Sequence, residues 1–139
     1  MSRQSRPHVV ILGGGFAGVA AVRQLRRAPV DVTIVDRSNH HLFQPLLYQV
    51  ATAALSAPDI AMPLRKLLRH QDNARVLMSE VRAVDVHEKQ VLLDHGRLDY
   101  DYLLVATGMT HNYFGNDQWR EHAPGLKSLR DALEIRSRV

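Results

Sequence analysis

The 139-residue chain contains no cysteine. That absence excludes disulfides, thiolate catalysis and cysteine metal ligands, and it leaves any redox chemistry to a bound cofactor. Long apolar runs are missing as well, and no stretch approaches the roughly 20 residues needed to span a bilayer. The opening MSRQSRP, followed by an apolar run that glycine breaks after Leu12, does not read as a signal peptide. The expectation is a cytoplasmic chain, with peripheral membrane contact left open. The net charge is +4, but the basic residues are scattered and no Lys/Arg-rich run is interleaved with aromatics. Nucleic-acid binding is therefore not expected. There is no HExxH and no i,i+4 histidine pair, and the adjacent His40 and His41 point to different sides of an extended segment. No metal site is expected, although His41 stands as a candidate for lining a cofactor pocket. GxSxG is also absent, so a hydrolase triad lacks its usual setting. No catalytic residue is assigned.

What remains, 45% apolar and 23% charged residues, is the composition of one soluble globular domain. Its organising stretch runs from His8 to Asp36. Val9 to Leu12 form a buried β-run that passes directly into Gly13-x-Gly15-x-x-Gly18, with Gly14, Phe16 and Ala17 filling the turn. The first glycine permits a tight turn, the second lets a pyrophosphate approach the backbone, and the third lets the following helix pack closely on the sheet. The helix opening at Phe16 presents its N–H groups and positive dipole end to that turn. Val19, Val22 and Leu25 form its buried face, and Arg23, Arg26 and Arg27 its solvent face. A second strand, Val32 to Val35, ends in Asp36, close to the spacing at which a carboxylate meets an adenosine ribose. Asp36 would repel a ribose phosphate, so FAD or NAD is favoured over NADP. Arg37 reads equally as a ligand contact or a solvated loop arginine.

Beyond Asp36, Leu42 to Val50 suggest short helical pieces broken at Pro45, with Gln44, Pro45 and Leu46 either capping the sheet or walling a flat ring such as a flavin. Ser56 to Asp59 signal a helix start, which Ile60, Leu64, Leu67 and Leu68 continue as one amphipathic helix with Pro63 near its first turn. Ala74 to Met78 should form a strand next to the first strand. Val81 to Tyr100 then read as an antiparallel meander with turns at Glu88-Lys89 and His95-Gly96. Residues 101–108 form a continuous apolar strand expected in the centre of a parallel sheet, bringing Ala106, Thr107 and Gly108 to the carboxyl edge where such sheets bind ligands. The tail to Gly125 reads as a loop anchored by Trp119. Ser128 to Val139 resemble a helix start, with Ser128 as the cap candidate followed by Leu129, Leu133 and Ile135, and the missing C-cap signal suggests that the chain stops within or just after an element. The fold expected is α/β: a Rossmann-like domain with a central parallel sheet and an antiparallel β-meander.

Three segments, GGGFAG with Asp36, NHHLFQPLLYQVATAALSAPDIAMPLR and DYDYLLVATGMTHNYFG, together resemble type II NADH dehydrogenases. These are flavoenzymes of the disulfide-reductase-like superfamily that pass electrons from NADH to a quinone without pumping protons. The resemblance runs from His8 onward, and its middle segment is the specific part. It implies FAD as cofactor, with NADH and quinone as partners of the complete enzyme. It implies the FAD pyrophosphate on Gly13, Gly15 and Gly18 with the backbone of Phe16 and Ala17, and the ribose on Asp36. By the same resemblance Val81 meets adenine, Thr107 and Gly108 close over the cofactor, and Gln44, Pro45 and Leu46 neighbour the flavin. A second glycine-rich unit for NADH, a segment completing the FAD site and a C-terminal amphipathic membrane region belong to that family but not to these residues. Residues 1–139 are accordingly expected to be the N-terminal FAD-binding domain of an enzyme lying on the inner face of the cell membrane. The alternatives are a non-catalytic NAD/FAD-binding module or an inactive fragment.

Overall fold

A computed structural model describes residues 6–138, which form two compact units. The sequence readings for residues 1–5 and Val139 lie outside the described residues. The first unit comprises residues up to His41 together with Pro63–Gly108; the second comprises Leu42–Met62 and the residues from Met109 onward.

The first unit is built on four strands: β1 (His8–Leu12), β2 (Asp31–Asp36), β5 (Ala74–Met78) and β9 (Tyr102–Val105). They pair in parallel in the order β5-β2-β1-β9. The two-residue period of a strand divides their side chains between faces. Val9, Ile11, Val32 and Ile34 turn to one face, where helix α1 (Phe16–Gln24) brings Val22 and α4 (Leu64–Leu68) brings Leu68. Val10, Leu12 and Val35 turn to the other, where the three-stranded meander β6 (Val81–Asp85), β7 (Gln90–Leu93) and β8 (Arg97–Asp99) supplies Val91 and Leu93. Helices thus cover one face of the sheet and the meander the other. Both faces bury residues completely, Val10 and Ile11 among them.

Polar side chains complete this frame where backbone groups would otherwise be orphaned. The carbonyls closing α1 and the turn after it are met by Gln71 and Asn73. Gln71 Nε2, itself buried, donates to Val22 O at 2.8 Å, and Asn73 Nδ2 donates to Leu25 O and Val30 O at 3.0 Å each. On the meander side, the buried Thr33 hydroxyl meets both His8 Nε2 and Arg75 Nε at 2.7 Å, while His8 Nδ1 donates to Asp99 O at 2.7 Å.

Two strand expectations are corrected. β5 lies beside β2, not β1, because β9 occupies the free edge of β1, with Ala106 N donating to Leu12 O at 2.8 Å. β9, expected at the centre of the sheet, pairs among the described residues only with β1, and Tyr102 and Val105 are more than 60% exposed. A continuous apolar run records burial in the finished protein and does not say which element covers it.

The chain leaves the first unit along the short strand β3 (His40–Leu42) and returns along β4 (Ala61–Pro63). Pro45 does not break a helix: it sits in the first turn of a 3-10 turn, Gln44–Leu46, that leads into α2 (Leu47–Ala51), a position where proline's missing N–H costs nothing. The single helix expected over Ile60–Leu68 is two. α3 (Ala57–Ile60) ends at an extended segment, and α4 starts only after Pro63, whose ring disfavours helical backbone at Met62. The second unit closes with α5 (Leu129–Arg138). Its core is Leu47, Val50, Ala51, Ile60 and Ala132, joined by Leu126, Leu129 and Ile135. Leu133 is 45% exposed, and Trp119, expected as an anchor, is 53% exposed on a 3-10 turn.

Candidate functional site

Parallel pairing places the carboxyl ends of β2, β1 and β9 side by side, so three segments distant in sequence meet at one edge of the first unit. The glycine turn follows β1, Asp36 ends β2, and Ala106–Gly108 follow β9. Gly13 has φ +104°, a left-handed conformation that favours glycine, and its N–H donates to Val35 O at 2.8 Å. A Cβ on Gly13 would overlap the carbonyl of Ala106, so β1 and β9 approach as closely as they do only because this residue is glycine. A Cβ on Gly18 would overlap Gly13 O, which sets how tightly α1 sits on its own turn. Gly15 is different. Nothing lies within 4 Å of where its Cβ would be, so the turn is open there.

The nine-residue α1 begins immediately after that opening. Gly15 is its N-cap, no side chain caps the first turn, and no acidic residue lies in it. An uncapped helix start carries partial positive charge from its aligned peptide dipoles. An open cradle beside such a helix start fits a diphosphate in shape and in charge.

Asp36 is held from two sides. Its Oδ2 accepts from Gly14 N at 2.5 Å, and its Oδ1 accepts from Ser38 N at 2.7 Å and Ser38 Oγ at 2.8 Å. The Ser38 contacts form an Asx turn, a pattern that Asp-x-Ser after a strand could have signalled in the sequence. Arg37 is exposed. Gly14 packs against Leu64 beneath it, so the middle glycine of the three also has no room for a side chain. His41 completes the ring around the turn: Nδ1 donates to Gly14 O at 3.0 Å, and the imidazole meets the Phe16 ring edge-on, with centroids 5.0 Å apart.

On the ligand edge, Ala106 is half-buried, Thr107 is exposed, and Gly108 adopts φ +74°. Val81 opens β6 after the carboxyl end of β5 and packs in the cluster between sheet and meander. Close by in the meander, the Ser79 hydroxyl donates to the Asp94 carboxylate and holds its pKa below the ordinary value. Gln44, Pro45 and Leu46 belong to the second unit. Gln44 and Pro45 are exposed there, while Leu46 packs on the α2–α5 cluster and Gln44 Nε2 donates to Lys127 O at 3.4 Å.

Among the described residues no three histidines, aspartates or glutamates gather as metal ligands would, and no helix is long and apolar enough to cross a membrane.

Comparison with known proteins agrees in kind. The chain is 49% identical over 138 residues to the type II NADH:quinone oxidoreductase NdhA of Mycobacterium tuberculosis; that match takes in 96% of this chain and 29% of NdhA. It is 26% identical over 136 residues to the type II NADH:quinone oxidoreductase of Staphylococcus haemolyticus, covering 95% of this chain and 34% of that protein. The fold superposes on NDH2 from Plasmodium falciparum, solved in complex with NADH, with a TM-score of 0.86 at 28% identity, covering 94% of this chain and 28% of NDH2. It superposes on the sulfide:quinone oxidoreductase of Aquifex aeolicus with a TM-score of 0.85 at 27% identity, covering 95% and 31% of the two chains. The chain therefore spans about a third or less of the length of these relatives. With the pyridine nucleotide-disulphide oxidoreductase family model matching residues 7–139, and with a Rossmann-like parallel sheet carrying a meander, the chain belongs to that family.

Proposed function

We propose that this chain is the FAD-binding portion of a flavin-dependent oxidoreductase that passes electrons from NADH to a quinone. The observation that carries the reading is the open backbone at Gly15 beside the uncapped start of α1, with Asp36 fixed next to it. Bound FAD would supply a flavin able to accept hydride and pass electrons onward one or two at a time. The protein's part is to bind and orient. Gly13 and Gly18 shape the turn, while Gly15, Phe16 and Ala17 offer backbone to the diphosphate. Asp36 accepts ribose hydroxyls with a carboxylate already pinned by Gly14 and Ser38, so little rotamer freedom is lost on binding. Val81 meets adenine, and Ala106, Thr107 and Gly108 border the cofactor. Arg37 is a rim contact, and Gln44, Pro45 and Leu46 are neighbours of the flavin ring.

Both units belong, in this reading, to one FAD-binding portion spanning residues 1–139. NADH and quinone are partners of the complete protein, which works at the inner face of the cell membrane. Support comes from the 49% identity to a type II NADH:quinone oxidoreductase and from the fold shared with NDH2 and a sulfide:quinone oxidoreductase. Titration of the purified protein with FAD and, separately, with NAD tests the proposal. The expected result is flavin absorption that survives desalting and a melting temperature raised by FAD well above any rise with NAD. Tighter binding of NAD would replace the reading with a nicotinamide-binding module.

A further inference from the structure

Three consecutive glycines, Gly13 to Gly15, pose a problem for the proposed site. Without Cβ atoms their peptide planes have little intrinsic orientation, and ordering each costs more backbone entropy than ordering any other residue type. A turn that must present a fixed N–H to a ligand needs an external restraint. The peptide joining Gly14 to Gly15 decides that direction, because in a trans peptide the carbonyl of one residue and the N–H of the next point to opposite sides of the bond. No peptide among the described residues is cis.

We infer that His41 is the positioning residue for this peptide, and through it for the diphosphate of the dinucleotide. Its Nδ1 lies 3.0 Å from Gly14 O. A carbonyl only accepts, so Nδ1 carries the proton. With Gly14 O drawn to His41, the N–H of Gly15 is turned the other way, at the residue where the cradle is open. Asp36 Oδ2 holds the N–H of the same Gly14 at 2.5 Å, so both backbone groups of this residue are clamped by side chains. The imidazole is itself held edge-on by Phe16 in the first turn of α1. One clamp is the last residue of β2 and the other lies in the short β3 that follows it, which couples the ribose carboxylate and the diphosphate turn in one arrangement. His41 need not touch the ligand.

The inference rests on the proposal that the turn binds FAD, and the test separates the two. FAD affinity is measured by fluorescence quenching for the wild type, H41L and H41N. Leucine fills the space without a donor, whereas asparagine offers Nδ2–H at the same bond distance from Cβ as Nδ1. We expect H41L to lose about tenfold or more in affinity, the worth of one preorganised hydrogen bond. H41N should recover to within about threefold of the wild type. Equal affinity of H41L and wild type, or an H41N as weak as H41L, overturns the role assigned to His41. Failure of the wild type to bind FAD instead removes the functional reading. Long-range ¹⁵N NMR of the ligand-free wild type gives an independent reading that needs no variant to fold. The His41 proton must reside on Nδ1, and an Nε2–H tautomer overturns the clamp whether or not FAD binds.

Discussion

In the first unit, apolar residues pack on both faces of one parallel sheet, and Val10, Ile11, Val22 and Ile34 are fully buried. In the second, one cluster is shared by helices of four, five and ten residues. Helices that short are marginal alone, since isolated helices below about 12–15 residues barely form in water. The two units therefore derive their order from different sources. The first is held by strand pairing and by glycines that let elements approach. The second is held by a small core and by caps: Asp59 accepts from the N–H and hydroxyl of Ser56 at 2.8 and 2.6 Å, and Asp131 accepts from Lys127 N and Ser128 N at 3.0 and 2.8 Å. A cap decides where a helix begins, whereas a strand edge decides what can be assembled beside it.

The sharpest way to probe this contrast lies within the glycine turn. Gly13→Val must adopt φ near +104° with a β-branched side chain driven into Ala106, and should cost about 4 kcal/mol or more, enough to prevent folding of the first unit. Gly15→Ala meets nothing and keeps an allowed backbone, so urea denaturation should show a loss of only about 1 kcal/mol, the worth of a poorer N-cap. Its methyl group nevertheless occupies the proposed diphosphate cradle, and FAD binding should fall severely. Similar stability losses in the two variants would mean that the turn has one role rather than two.

Next in size are paired core truncations. Ile34→Ala removes a side chain from the fully buried centre of the sheet and should cost about 4 kcal/mol, whereas Leu47→Ala in the smaller helical cluster should cost about 2–3 kcal/mol because its surroundings relax more easily. Hydrogen exchange monitored by mass spectrometry distinguishes the units further. Leu47→Ala should accelerate exchange in α2 and α5 while β1 and β2 stay protected. Uniform acceleration would merge the two units into one cooperative block.

The smallest effect concerns acid. Burial raises the Asp131 pKa, but hydrogen bonds from the Lys127 and Ser128 backbone and the Ser128 hydroxyl, with the nearby His111, outweigh it, so the folded value lies below the ordinary 3.8. A depressed carboxyl stabilises the folded state above its unfolded pKa and loses that contribution as pH falls through the folded value. The α5 cap should therefore weaken only below about pH 4. Asp131→Asn should flatten the acid limb of second-unit stability, read from exchange in α5 between pH 3 and 6. An unchanged limb would place the acid sensitivity elsewhere.

The legibility of the sequence follows the same division. The βαβ stretch was readable because local rules governed it: the apolar β1, the glycine spacing, α1 and Asp36 at the end of β2 all occur where expected. The meander turns at Glu88-Lys89 and His95-Gly96 were equally local, with Lys89 and Gly96 at positive φ. The helical excursion was harder, because its elements are shorter than the window over which a 3.6-residue period can be recognised. Pro45 opened a turn rather than closing one, and Pro63 separated two helices that the apolar spacing joined. Trp119 looked like an anchor by type alone, and it is half-exposed.

By itself, then, the sequence determined the elements of the glycine turn, the class of fold and the family, because those depend on residues adjacent in the chain. Tertiary structure alone decided that β9 rather than β5 flanks β1, that Ala106 lies against Gly13, and that His41 and Asp36 grip opposite ends of Gly14. Strand order and side-chain reach join residues between 22 and 93 positions apart in this first unit, and no local period or spacing encodes which distant partner will arrive.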